Sequence, residues 1–385
     1  MRAILLLIAV LICYGSLYPF NFTANGHWLR QGLTLFTQPD LHMGRGDMVG
    51  NVLLFAPYGL VAALINTGSA RRTTAPLVLR LGLGLLLALA LQLAQLWLPS
   101  RVPALNDVIA NTAGILLGVA AGWLARGLGP AGAGQAASVA LQRALAPAVL
   151  MLLWLGYQWF PLVPTLDLQN MINAVKPLVR APQLDGVRAL HTALAWLAFF
   201  RLWQLTTARH TPPLALAAAA LCILGAKLVI VGASISLTNL LGLGLALACL
   251  PWSQHRAALP VLIMAMLASL LASGLAPFNW SSVPQAFHWI PFTGMLEGSM
   301  GVNLLNLVEK SYFYGAVTVL MAASGARPLA AAMAVAICLA AIEAAQVFLP
   351  GRVAETTDPL LALILGYVIG LLSARGKSAG APARK

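Results

Sequence analysis

Two stretches of this chain carry the same polar residues at the same spacing. The first reads Ala94-Gln95-Leu96-Trp97-Leu98-Pro99-Ser100-Arg101-Val102 and runs on to Asp107. The second reads Ala345-Gln346-Val347-Phe348-Leu349-Pro350-Gly351-Arg352-Val353 and runs on to Asp358. An arginine beside the start of a helix suits an anionic group, because the positive dipole end and the guanidinium fork both favour phosphate or carboxylate. Asp47 and Asn51 are one helical turn apart and enter from a preceding apolar run, on a level with Gln95, Arg101 and Asp107. A plainer assignment competes. Asp358 is followed by Pro359, as in an N-cap with a first-turn proline, and Asn106 or Asp107 can cap in the same way. Arg101 and Asp107 can also simply pair.

A second group is ionisable and lies within apolar runs. Glu309 and Lys310 fall about two turns into one run and Glu343 about two turns from the end of the next. Antiparallel neighbours would bring them to one depth, either as a Glu–Lys pair or lining a polar cavity, since charge in hydrocarbon is costly. Gln92 stands three residues before Gln95 as Glu343 stands before Gln346. Arg201 is close enough to a run's end to snorkel. Enzyme signatures are missing. The six histidines show no metal-ligand spacing, no Gly-rich phosphate loop leads into Lys and Ser or Thr, and no Ser–His–Asp arrangement stands out. No metal and no cofactor is expected, and a binding role is favoured over a catalytic one.

The elements that must position these residues are membrane helices. The chain is 60% hydrophobic and 9% charged, whereas a soluble domain carries roughly a quarter charged residues. Apolar runs fall near 3–20, 47–67, 76–98, 107–125, 145–162, 189–207, 213–232, 235–251, 258–278, 302–323, 328–349 and 358–373. Runs of about 20 residues are long enough to span a bilayer. The net charge is +13, and basic residues cluster between apolar runs, around Arg2, Arg71 and Arg72, Arg126, Arg143, Arg209, Arg256, Arg327, and Arg375 with Lys377, Arg384 and Lys385. None of those segments holds an acid, which is the positive-inside pattern and puts both termini in the cytoplasm. The basic balance thus reports topology and anionic headgroups, with no nucleic-acid partner. Trp28, Trp280 and Trp289, in long opposite-side loops near 21–46, 163–188 and 279–301, suit headgroup anchoring. The cysteines (Cys13, Cys222, Cys249, Cys338) fall in apolar runs and read as small buried hydrophobes. The first run lacks a small-residue cleavage site and reads as an uncleaved helix.

Laid on one another, the runs form three quartets. Pro19-Phe20, Phe160-Pro161 and Pro277-Phe278 end the first run of each, and Tyr58-Gly59 recurs as Tyr314-Gly315. In the middle quartet Lys227 stands for the glutamine and Asn239, twelve residues on, for the aspartate, while the arginine is lost. The expected architecture is an all-α integral membrane protein of about twelve transmembrane helices in three four-helix repeats: 1–126, a degenerate 143–252, and 258–374, with a basic tail over 375–385.

The motifs also resemble a known family. Gly50-Asn51-Val52-Leu53-Leu54-Phe55-Ala56-Pro57-Tyr58-Gly59 is similar to the Gly-Asn-x-x-Leu-Phe-x-Pro-x-Gly segment of VanZ-like membrane proteins. Gln95 through Gly118, with Leu98-Pro99-Ser100-Arg101, Asn106-Asp107 and Asn111-Thr112-Ala113-Gly114, resembles that family's Gln-x-x-x-Pro-x-Arg…Asp-Asp…Asn-x-x-Gly segment. His288-Trp289-Ile290-Pro291-Phe292 resembles its Asn-Leu-Ile-Pro-Phe loop. The third quartet departs from the pattern: Asn303-Leu304-Leu305-Asn306 stand where Asp47 to Gly50 do, and Ala362 stands where Asn111 does. The resemblance therefore adds Asn111 to Asp47, Asn51, Gln95, Arg101 and Asp107 as the favoured ligand set. Glu309, Lys310, Glu343, Gln346, Arg352 and Asp358 form a secondary set.

The family takes its name from a member of a glycopeptide-resistance cluster associated with teicoplanin resistance. The resemblance implies a role in the bacterial envelope, at the cytoplasmic membrane, and supplies no biochemical activity. The leading expectation is a non-enzymatic protein binding an anionic lipid or lipid-linked envelope precursor at its outward face. Alternatives are a lipid or polyprenyl-phosphate transporter or flippase, and a membrane-embedded transferase. The last lacks metal and nucleophile motifs.

Overall fold

The computed structural model describes residues 1–37, 44–65, 75–127, 135–180, 182–207, 211–296 and 300–378, in two compact units, Met1–Gly134 and Gln135–Lys385. The basic residues Arg71, Arg72, Arg209, Arg384 and Lys385, and the acids Asp40 and Glu297, lie outside the described residues. The fold is all-α, apart from a two-residue parallel pairing of β1 (Phe287–His288) with β2 (Ala354–Glu355).

In the first unit, α1 (Arg2–Leu17) is followed by α2 (Trp28–Thr37), α3 (Arg45–Leu64), α4 (Ala75–Ala94) and α5 (Leu105–Gly127). A 3-10 turn, Gln95–Trp97, finishes α4. Ile12, Phe55, Tyr58, Ala88, Leu91 and Ile115 close a core among α1, α3, α4 and α5. The tightest seam joins α3 to α5. A methyl group at Gly59 would land on the Ile115 carbonyl, one at Gly114 on that of Val52, and one at Gly118 on that of Ala56. Small residues at such spacing let membrane helices meet backbone to backbone, where hydrophobic drive is absent and close packing must replace it.

In the second unit, the order is α6 (Gln135–Gln158), α7 (Leu168–Arg180), α8 (Gly186–Thr207), α9 (Pro213–Gly225), α10 (Leu237–Ser253), α11 (Ala258–Leu275), α12 (Thr293–Leu296), α13 (Met300–Ala323), α14 (Pro328–Gln346) and α15 (Thr357–Ser378). One continuous core runs from α6 to α15, so residues 143–252 and 258–374 share one interior. Its centre is aromatic: Trp154 stacks on Tyr312 at 4.8 Å and meets Trp196 edge-on at 5.7 Å. The Tyr312 hydroxyl donates to the Ala195 carbonyl at 2.7 Å, which settles the one polar atom such a ring buries.

Each apolar run of the sequence holds a helix among its described residues. Among the described residues six helices are long and apolar enough to cross a bilayer: Asp47–Leu64, Pro76–Trp97, Leu105–Leu124, Ala258–Leu275, Pro328–Gln346 and Thr357–Ala374. Leu79, Leu86, Leu117, Val261 and Ile337 turn outward on these helices, each more than half exposed, a surface suited to lipid and not to water. The protein is a multi-pass membrane protein.

Three features differ from expectation. The long loops contain helices α2, α7 and α12, too short to register as spans. Arg201 donates to the Gln254 carbonyl at 3.0 Å and to the Gln204 side chain at 3.1 Å, so it caps the end of α10 as well as reaching outward. The cysteines are not buried: Cys222 and Cys249 are exposed on outer helix faces, and Cys13 and Cys338 are half-buried.

Candidate functional site

The residues of the first polar segment gather at the end of the first unit where α1 and α4 finish and α3 and α5 begin. They do so as two groups. In one, the Asp107 carboxylate in the first turn of α5 accepts from Asn51 Nδ2 at 2.8 Å and from Gln92 Nε2 at 3.3 Å. Gln92 Oε1 accepts from the Ala104 N–H at 3.0 Å, so this amide also pins the strand entering α5. Gln92 belongs to the first-quartet site, and its match with Glu343 was the sequence signal for it. Asp107 therefore ties α3, α4 and α5 together through side chains and does not cap its own helix. Asp47, at the start of α3, is exposed. Asn111, 3% exposed, lies one turn further along α5 with its Oδ1 unpartnered among the described residues.

The other group grips the end of α1. Arg101 Nε donates to the Tyr18 carbonyl at 3.1 Å and a terminal nitrogen to the Gly15 carbonyl at 3.4 Å, while Gln95 Nε2 donates to the Ser16 carbonyl at 2.9 Å. The last carbonyls of a helix have no partner within it, and a cation there also meets the negative dipole end. Arg101 and Asp107 form no ion pair among the described residues; two of the arginine's nitrogens bond to backbone instead.

The remaining face of Gln95 and Arg101 opens on a cleft of about 530 Å³. Its other wall is the chain from Thr23 to His27 and the polar side of α2, Gln31 and Thr34. No acid lines it. The roof is pinned by Asn25 Nδ2 on the Leu96 carbonyl at 2.6 Å and by the Thr23 N–H on the Trp97 carbonyl at 2.9 Å. With two of its nitrogens on α1, the Arg101 guanidinium keeps further N–H groups for a ligand.

The second unit repeats the grip. Arg352 Nε donates to the Ala276 carbonyl at 2.9 Å and a terminal nitrogen to the Ser273 carbonyl at 2.8 Å, and Gln346 Nε2 donates to the Gly274 carbonyl at 2.9 Å. Glu343 takes the place of Gln92, accepting from the Glu355 N–H at 2.8 Å. Tyr18-Pro19, Phe160-Pro161 and Ala276-Pro277 are all cis, each followed by a residue at φ near +60°: Phe20 at 63°, Leu162 at 65° and Phe278 at 63°. Asn239 does cap, in a reciprocal box with Ser236.

Asp358 corrects two expectations. It accepts from Lys310 Nζ at 2.7 Å and from the Tyr314 hydroxyl at 2.8 Å, so it is a partner of α13 and not an N-cap. Lys310 consequently pairs with Asp358, neither with Glu309 nor with Glu343. Glu309 faces Tyr157 and Arg188 instead, because successive helix residues point about 100° apart. Glu355, absent from the sequence-derived set, is buried and accepts from the Gly294 N–H at 3.3 Å. Among the described residues no group of His, Cys, Asp or Glu is arranged to hold a metal ion.

Residues 3–126 match the family model described as VanZ/LLP1. No curated protein and no solved structure matches the chain. The matched span begins within α1 and ends within α5, so it takes in the Asp107 cluster, the Arg101 grip and the cleft together. The protein is a multi-pass membrane protein whose N-terminal unit is a VanZ-like domain.

Proposed function

We propose that this protein binds the headgroup of an anionic lipid, or of a lipid-linked envelope precursor, in the cleft of its N-terminal unit, and that it works by binding and not by catalysis. The observation that carries the reading is the acid-free cleft of about 530 Å³ with Arg101 and Gln95 in its wall. A guanidinium with spare donors at a membrane boundary is a natural phosphate partner. Asp47, Asn51, Asp107 and Asn111 then serve the site from behind, by fixing where α5 starts.

In this reading the chain is three copies of one four-helix unit, crossing the bacterial cytoplasmic membrane twelve times with both termini inside and the cleft outside. The shared Gln–Arg grip and the three matching proline corners support the repeat, and the acid-free basic connections support the orientation. A role beside envelope precursors would also fit the family's association with teicoplanin resistance. The Lys310–Asp358–Tyr314 cluster favours transport as a second reading, since ionisable groups inside a bundle often mark an ion or substrate path.

The test is the lipid that stays with the protein. Native mass spectrometry of the purified chain should find an anionic lipid bound, and Thr34→Phe, which fills the cleft from an exposed wall position, should deplete it. An unchanged lipid complement in the folded variant refutes the reading.

A further inference from the structure

The two sides of α2 face different chemical worlds. Gln31 and Thr34 look into the polar cleft. Trp28, Leu29, Gly32 and Leu33, one helical face round, line a separate groove of about 220 Å³ whose far wall is Leu93 and Trp97. Among the described residues no polar side chain other than the Trp indoles lines it. Trp28 and Trp97 stack over it with ring centroids 5.6 Å apart. Leu96 borders both spaces, so they adjoin at that residue. The helix is short, ten residues, and is held in place by the Asn25 and Thr23 bonds to the 3-10 turn beneath it.

We infer that the groove holds a hydrocarbon chain of the same molecule whose anionic group sits in the cleft, so that the ligand is a lipid recognised at headgroup and chain together. The inference rests on the headgroup reading above and adds the second half of the molecule. Three observations point to a chain as occupant. The groove's walls are aliphatic and indole, a surface that water covers poorly and hydrocarbon covers well. It adjoins an acid-free polar cleft holding an arginine, and an amphiphile is the class of molecule that needs both compartments side by side. Gly32 leaves it open: a Cβ there would reach Leu96 Cδ1 at 3.6 Å, ordinary contact, so a longer side chain would project into the space a chain occupies.

The experiment uses the full chain with phosphatidylglycerol carrying a photoreactive diazirine in one acyl chain, and the deacylated glycerophosphoglycerol as a short probe of the headgroup alone. The long probe should label the peptide over 28–35 or that over 93–97. Gly32→Phe should cut this labelling about tenfold, roughly what two displaced methylenes are worth, and leave binding of the short probe unchanged. Leu33→Gln, at an exposed position of the same wall, gives a milder loss and guards against a folding defect in the first variant. Short-probe binding retained with chain labelling elsewhere, or undiminished in both variants, overturns the chain site while sparing the headgroup reading. Failure of the short probe to bind the unaltered protein overturns both.

Discussion

Arg352→Ala tests whether the repeated arginine is a brace. In the structure its guanidinium spans the carbonyls of Ser273 and Ala276 at the end of α11, at 2.8 and 2.9 Å. A hydrogen bond from a charged donor contributes about 1.5–3 kcal/mol. Arg352 is only half-buried, so water replaces part of what is lost, and the expected cost is about 2–4 kcal/mol for the pair of bonds. Arg101 makes the same grip at 3.1 and 3.4 Å, longer and weaker, and Arg101→Ala should cost less, about 1–2 kcal/mol. Arg352→Lys should recover at most half, because an ammonium cannot hold two carbonyls in a planar fork. Reversible unfolding of the detergent-solubilised protein, followed by tryptophan fluorescence against added denaturing detergent, reads these differences directly. An Arg352→Ala protein within about 0.5 kcal/mol of the parent would show that the bonds to α11 do not stabilise the fold. The arginine would then have to be explained by a ligand.

Reporter fusions placed after Arg72, Arg126, Arg256 and Arg375 should all read cytoplasmic, and one external reading breaks the twelve-crossing topology. Lys310→Met strands the largely buried Asp358 and should destabilise by about 2–4 kcal/mol. Adding Asp358→Asn should restore most of it, and a double variant no better than the single shows that the pair is not coupled. Gly118→Leu should prevent the first unit from folding, since its side chain meets the Ala56 carbonyl, whereas Gly82→Leu, with nothing near its Cβ, should express normally. Equal expression of the two would refute the backbone seam between α3 and α5.

Much of the helical layout was legible because apolar length alone marks a membrane helix. Helices α2 and α7 were missed for the same reason: at ten and thirteen residues they are amphipathic and short, and a search for long apolar runs passes over them. The cleft wall was therefore only half visible in advance. The residues Gln95, Arg101, Asp107 and Asn51 were identified by their spacing, but spacing along one strand of chain says nothing of which neighbour a side chain meets. Arg101 turned to the carbonyls of α1, and Asp107 to amides on α3 and α4. The adjacency of Glu309 and Lys310 suggested one locus, where the helical turn between them sends one toward Arg188 and the other toward Asp358. Glu355 carried no signal at all, since its partner, the Gly294 N–H in α12, is some sixty residues away along the chain.

The glycine seam has a consequence for how such a chain can diversify. Helix α5 lies against α3 because Gly59, Gly114 and Gly118 remove every obstacle between the two backbones. In the register that lays Gln95 on Gln346, the places of Gly114 and Gly118 on α15 are held by Leu365 and Ile369. That helix instead presses most closely on α14, where Gly366 meets Ala332. Shifting a glycine by one position along a helix thus redirects which neighbour it embraces, without altering its length or its apolar character. Two segments can share their hydropathy and their end-of-helix arginine and yet be wired differently inside. Glycine placement serves as an address label, naming the neighbour that each helix meets backbone to backbone.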